Sequence, residues 1–201
     1  MAHPIAMTYL KPAEKLGRKF LNPVPTEVGG PGMALKIIPQ YFFYTEEREP
    51  RTPLGPFRTD ASVYATPPAS GLRITWMGHS TMLVEMDGVR ILIDPVWDER
   101  ASPVQWFGPK RFFAPPLALE ELPPLDAVLI SHDHYDHLGA GTVRRLAAVP
   151  AAASARWITS VGVGALLRSF GVPAARITEP DWTQSVEVTS ASGVSCTPCM
   201  A

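Results

Sequence analysis

"SHDHYDHLG", residues 131–139, places three of the chain's five histidines within six positions. It follows "DAVLI" (126–130), a nearly all-apolar run of the kind a strand buried on both faces needs. Ser131 ends that strand, so the next residues emerge at a sheet edge. His132 and His134 are two apart, and in extended backbone such side chains point the same way. Two imidazoles placed like this can hold one metal ion. Asp136 and His137 come next, where the chain turns towards a helix near Leu138 and Gly139. They are displaced from the first pair and can hold a second ion. Imidazole with carboxylate suits zinc, and also iron or manganese. Two ions about 3.5–4 Å apart clamp both oxygens of a displacement reaction. Plain polar loop residues explain such density poorly, and a purely structural zinc would favour cysteine.

The surrounding pattern is that of a sheet with helices. "LRITWM" (72–77), "TMLVEM" (81–86) and "RILID" (90–94) read as short strands, with Asp87-Gly88 as a hairpin turn between the second and third. After the histidine cluster come a helix in "GTVRRLAAV", a strand in "RWITS" and a helix in "VGALLRSF". Strands in "VEVTS" and "VSCTP" follow. Antiparallel strands followed by strand–helix alternation give an α/β sheet covered by helices. Residues 1–70 differ in texture, since half of the 22 prolines lie there. Proline removes amide donors and fixes φ, so this stretch reads as a proline-rich arm, 1–70, that wraps the 71–201 domain or stays partly mobile. Within it, Tyr41, Phe42, Phe43 and Tyr44 read as packing aromatics, with contact to lipid or a greasy substrate as the alternative.

Composition narrows the class. With 201 residues the chain fits one domain plus an extension, and 46 % hydrophobic residues suffice for a core. A net charge of −1 offers no clustered basic face for nucleic acid. Two cysteines make no disulfide framework, so a cytoplasmic location is the expectation. No signal-peptide core and no apolar run of membrane-spanning length occurs in the sequence.

"HDHYDH" (132–137) also matches the His-x-His-x-Asp-His motif of the metallo-β-lactamase superfamily. The chain resembles in particular N-acyl-phosphatidylethanolamine-hydrolysing phospholipase D and its bacterial relatives. "FLNP" (20–23), "ITWMGHSTMLVEMDG" (74–88), "LIDPVWDERASPVQWFGPKRF" (92–112), "LEELPPLDAVLISHDHYDHL" (119–138), "DW" (181–182) and "CTP" (196–198) carry that resemblance. It implies an αββα sandwich, of which this chain would form the N-terminal half, with two metals at one edge. His132 and His134 would ligate the first ion, and Asp136 and His137 the second. The activity implied is hydrolysis of a phosphodiester, an N-acyl phospholipid among the candidates, with peripheral membrane contact. Asp136 would serve catalysis as a ligand, and water would be the nucleophile. In the family the pattern after "CTP" continues to a third histidine for the first metal, and Ala201 stands at that position here. The expectation is therefore an incomplete ligand set, with a non-catalytic product as one alternative and a nucleic-acid-processing relative as another.

Other positions keep two readings. Asp94 follows "RILI" at a strand end and either fixes the tautomer of a ligand imidazole or makes an Asx turn into Pro95. His79, in "MGHST", reads as a structural hydrogen-bonder, placed by the resemblance near the site without ligating the metal. "WFGPKRFFAPP" (106–116) reads as a solvated loop with buried aromatics, or as a contact for phosphate and acyl chain together. Cys196 and Cys199 make a C-x-x-C, a weak metal signal alone, with Cys196 read as a buried strand residue.

Overall fold

The computed structural model describes residues 11–17, 19–23 and 49–190, and singly 32, 35, 39, 193, 195 and 196. Tyr41 to Tyr44, Cys199 and Ala201 lie outside the described residues. A hairpin of β1 (Glu14–Leu16) and β2 (Lys19–Leu21) opens the chain. The main sheet has six strands in chain order: β3 (Leu72–Gly78), β4 (Thr81–Met86), β5 (Val89–Ile93), β6 (Ala127–Ile130), β7 (Arg156–Thr159) and β8 (Ile177–Thr178). β3, β4 and β5 pair antiparallel, and β5 through β8 run parallel. Helix α1 (Ala140–Ala148) makes the crossover from β6 to β7, and α2 (Gly164–Ser169) the one from β7 to β8. Short strands β9 (Val188–Thr189) and β10 (Ser195–Cys196) pair with each other.

Alternation of side chains decides what each sheet face buries. One face carries Met77, Leu83, Leu92, Val128, Ile130 and Trp157, and packs against Val143 and Leu146 of α1 and Leu167 of α2. The other carries Val89, Ile91, Ala127 and Ile158, met by Val186 and Val188. On that second face the β3 residues Leu72, Ile74 and Trp76 remain 47 %, 56 % and 56 % exposed. The β4–β5 turn uses Asp87 at φ 49° and Gly88 at φ 83°, the double left-handed geometry for which Asp-Gly is suited.

The stretch before the sheet is part of its packing. Tyr64, in the short helical turn Ala61–Ala65, is buried in the main core and donates from its hydroxyl to Thr75 Oγ1 at 3.0 Å. Glu85 lies buried on β4 between two arginines: Arg73 at 2.9 Å and Arg90 at 3.2 Å. Those arginines also donate to the carbonyls of Val63, Tyr64 and Thr66. One carboxylate thus holds two cations, and through them the 63–66 backbone, on the sheet.

Helix α1 starts against Asp98. Thr142 N donates to Asp98 Oδ2 at 3.2 Å, supplying an anion to the helix N-terminus. A Cβ at Gly139 or Gly141 would overlap that carboxylate. Alanine is the better helix former by about 1 kcal/mol, yet displacing Asp98 forfeits a charged hydrogen bond of about 1.5–3 kcal/mol. The second effect is larger, so Gly141→Ala is expected to destabilise by about 0.5–2 kcal/mol in urea unfolding. In an Asp98→Ala background the same change should become neutral or stabilising. Destabilisation of equal size in both backgrounds would contradict the overlap.

The loop between β5 and the next element is an ordered excursion. Arg100 bridges to Lys110, and Arg111 N donates to Glu99 O. Trp106, Phe107 and Phe112 on it are 81 %, 62 % and 50 % exposed, so the burial expected of these aromatics is not observed. Arg111 explains why: its guanidinium turns inward to the carbonyls of Val96 and Asp98, and the hairpin tip points to solvent.

Candidate metal centre

Four chain segments meet at the end of the sheet where the parallel strands finish. They are the β3–β4 turn with His79 and Ser80, the residue after β5 (Asp94), the loop after β6 (Ser131 to His137) and the residues after β7 (Ser160, Val161). Carboxyl ends of parallel strands are where α/β sheets place their ligands. Two non-glycine residues there adopt positive φ: His79 at 48° and Asp94 at 44°. Such backbone persists only where its surroundings over-determine it. For Asp94 the surroundings are plain. Its Oδ1 accepts from Ser131 N at 2.7 Å, and its Oδ2 from Ser131 Oγ at 2.7 Å. Thr81 Oγ1 donates to its backbone carbonyl at 2.7 Å. Its Oδ2 also lies 2.9 Å from His137 Nδ1, so of the two readings of Asp94 its carboxylate makes the imidazole contact.

The sequence-selected residues come together. The rings of His132 and His137 are 4.0 Å apart, and those of His132 and His134 4.7 Å. His132 Nε2 faces His134 Nδ1 at 3.2 Å. Two donors on one tetrahedral zinc, each bound at about 2.0–2.1 Å, sit roughly 3.3–3.4 Å apart. The pair therefore already has the spacing an ion requires. His137 Nε2 lies 3.6 Å from Asp136 Oδ2, which fits a second pair. With its Nδ1 turned to Asp94, His137 keeps Nε2 available.

His79 is closer in than the sequence places it. Its Nε2 lies 2.9 Å from Asp136 Oδ2, and His79, Asp136 and His137 together form a three-member group whose ligand atoms lie within 4.8 Å of one another. Ser80 Oγ donates to the Asp136 carbonyl at 2.8 Å and fastens the β3–β4 turn to the histidine loop, while Trp76 Nε1 donates to the His79 carbonyl at 2.7 Å and braces the turn itself. The signal in the sequence was Gly78 directly before His79: two successive positive φ values, 104° and 48°, turn the imidazole over the edge.

Electrostatics favour a cation. Desolvation, then the neighbouring His137 and His134, press His132 below the ordinary imidazole value. Burial works to raise Asp136, but the hydrogen bond from His79 and the facing imidazoles outweigh it and hold its carboxyl below the usual range. His132 therefore stays neutral and Asp136 ionised to lower pH than free side chains do, the forms that bind metal.

A cavity of about 270 Å³ adjoins His132, walled by Phe20, Val161, Pro180, Asp181 and Trp182. Phe20 comes from β2. Its hairpin is held in place because Ala13 N donates to both oxygens of Asp181, at 3.0 and 2.9 Å. Trp182 Nε1 is buried without a hydrogen-bond partner. Sequence reading missed this wall, because β2 and the 180–182 segment are far apart in the chain. In the sequence, "FLNP" and "DW" stand only as points of resemblance.

The comparisons agree with this geometry. The family description that matches is "Beta-lactamase superfamily domain", over residues 89–201, more than half of the chain. An uncharacterized protein of Mycobacterium tuberculosis is 51 % identical over 130 residues, 65 % of this chain and 34 % of that protein. An N-acyl-phosphatidylethanolamine-hydrolyzing phospholipase D of Caenorhabditis elegans is 42 % identical over 121 residues, 59 % of this chain and 33 % of that protein. A UPF0173 metal-dependent hydrolase of Methanopyrus kandleri is 43 % identical over 68 residues, 34 % of this chain and 24 % of that protein. The chain spans about a third of the length of the first two of these relatives.

Proposed function

Because the chain belongs to the beta-lactamase superfamily, we propose that it is a metal-dependent hydrolase whose substrate is a phosphodiester with an apolar arm, such as an N-acyl phospholipid. The observation that carries the metal reading is the 3.2 Å approach of His132 Nε2 to His134 Nδ1 beside Asp136 and His137. His132 and His134 would hold one cation, and Asp136 and His137 a second, with zinc the first candidate and iron or manganese next. A bound divalent cation supplies Lewis acidity that makes water nucleophilic near neutral pH and draws charge from a phosphoryl oxygen.

The chain's own residues divide the remaining work. Asp94 holds the His137 ring, and Asp136 is aimed by His79 on one side and by Ser80 at its carbonyl. The cavity next to His132 supports an apolar arm, since Phe20, Val161, Pro180 and Trp182 give it apolar walls beside the polar Ser160 and Asp181. The name of the Caenorhabditis elegans relative supports an N-acyl phospholipid as that substrate. Among the described residues no helix is long and apolar enough to cross a membrane.

The test is hydrolysis of bis(4-nitrophenyl) phosphate by a zinc-loaded version that extends through the family's remaining metal ligands. Turnover that disappears with a chelator and returns with zinc is expected. Turnover indifferent to chelation would overturn the reading.

A further inference from the structure

The geometry points to Ser131 as a positioning residue that fixes the His132 imidazole with its Nδ1 protonated and Nε2 free, extending the hold of Asp94 from His137 to the His132–His134 pair. The hydroxyl has one proton and two lone pairs. Its shortest contact is to Asp94 Oδ2 at 2.7 Å. A buried carboxylate is the strongest acceptor in reach, so the proton goes there. The oxygen is then an acceptor towards His132 Nδ1, 3.0 Å away. His137 Nδ1 is farther, at 3.4 Å, and has its own contact with Asp94 Oδ2 at 2.9 Å. The hydroxyl's acceptor side is thereby left to His132.

The consequence reaches His134. With Nδ1 of His132 protonated, its Nε2 is a lone pair facing His134 Nδ1 at 3.2 Å. The backbone supports the arrangement too, since Ser131 N donates to Asp94 Oδ1 at 2.7 Å and fixes the serine against the carboxylate. One aspartate therefore orients His137 directly and His132 through a hydroxyl. The tautomer assignment stands on these contacts alone. Its importance for metal binding rests on the proposed metal centre.

Two measurements separate the claims. In the metal-free chain, side-chain ¹⁵N shifts should show His132 as the Nδ1–H form. Ser131→Ala should move it towards the Nε2–H form with unchanged melting temperature, and Ser131→Thr, which keeps the hydroxyl, should restore it. A His132 tautomer equal in wild type and Ser131→Ala would overturn the assignment whatever the metal does. In a cobalt titration Ser131→Ala should bind about tenfold or more weakly and Ser131→Thr near wild type. Equal cobalt affinity in wild type and Ser131→Ala would sink the coupling to metal. Wild type that binds no cobalt would sink the metal centre itself while leaving the tautomer result to stand or fall by NMR.

Discussion

Glu85→Ala is expected to lower the unfolding free energy by about 3 kcal/mol, the lower end of the range for breaking a buried ion pair. The lower end applies because Arg73 and Arg90 are 27 % and 22 % exposed at the side chain, so water can recover part of their solvation. The loss exceeds that of a surface pair, worth about 0–1 kcal/mol, for two reasons. The variant leaves two like charges facing each other across the strands, and it loosens both guanidinium groups from the carbonyls of Val63, Tyr64 and Thr66. Tyr64 should gain exposure with them. Urea unfolding followed by circular dichroism checks this, and a loss below about 1 kcal/mol would assign the triad to decoration.

Asp94→Asn should leave the fold in place and weaken zinc binding by about 10- to 100-fold. Asparagine tolerates the left-handed backbone of this position, here φ 44°, and one oxygen can still accept from Ser131 N. The other oxygen becomes an NH₂. It then meets two donors, Ser131 Oγ–H and the His137 Nδ1 proton, in place of accepting from them. Relief comes by moving the His137 proton to Nε2, the nitrogen next to Asp136. A protonated nitrogen is no metal ligand. Competition against a chromophoric chelator reads the affinity directly, and wild-type affinity in Asp94→Asn would contradict the orienting role.

Much of this site was legible in order along the chain. The apolar run 127–130 announced a strand, and its abrupt end at Ser131 announced an edge, so two histidines at even spacing pointed one way. The hairpin at Asp87-Gly88 was legible for a similar reason: only certain residues accept its backbone. β8 was not, because Ile177 and Thr178 make a two-residue strand, too short for any period to register. The β1–β2 hairpin was hidden as well, since all its residues are exposed and it shows no alternation. His79, a lone histidine in the sequence, reads as a structural hydrogen-bonder, and its contact with Asp136 has that form, but the partner was not legible because the turn at Gly78 that brings the two together joins distant parts of the chain. The division at residue 70 followed proline texture, whereas Tyr64 enters the core through a single aromatic and a pair of arginines that lie later in the chain.

A sheet edge that gathers imidazoles and a carboxylate into a cation site underlies every functional role given to these residues. Anomalous diffraction from crystals of the zinc-loaded chain tests this most directly. Density between His132 Nε2 and His134 Nδ1, with further density beside His137 Nε2 and Asp136, is the result expected. Zinc bound elsewhere on the surface, with those four side chains untouched, would contradict it.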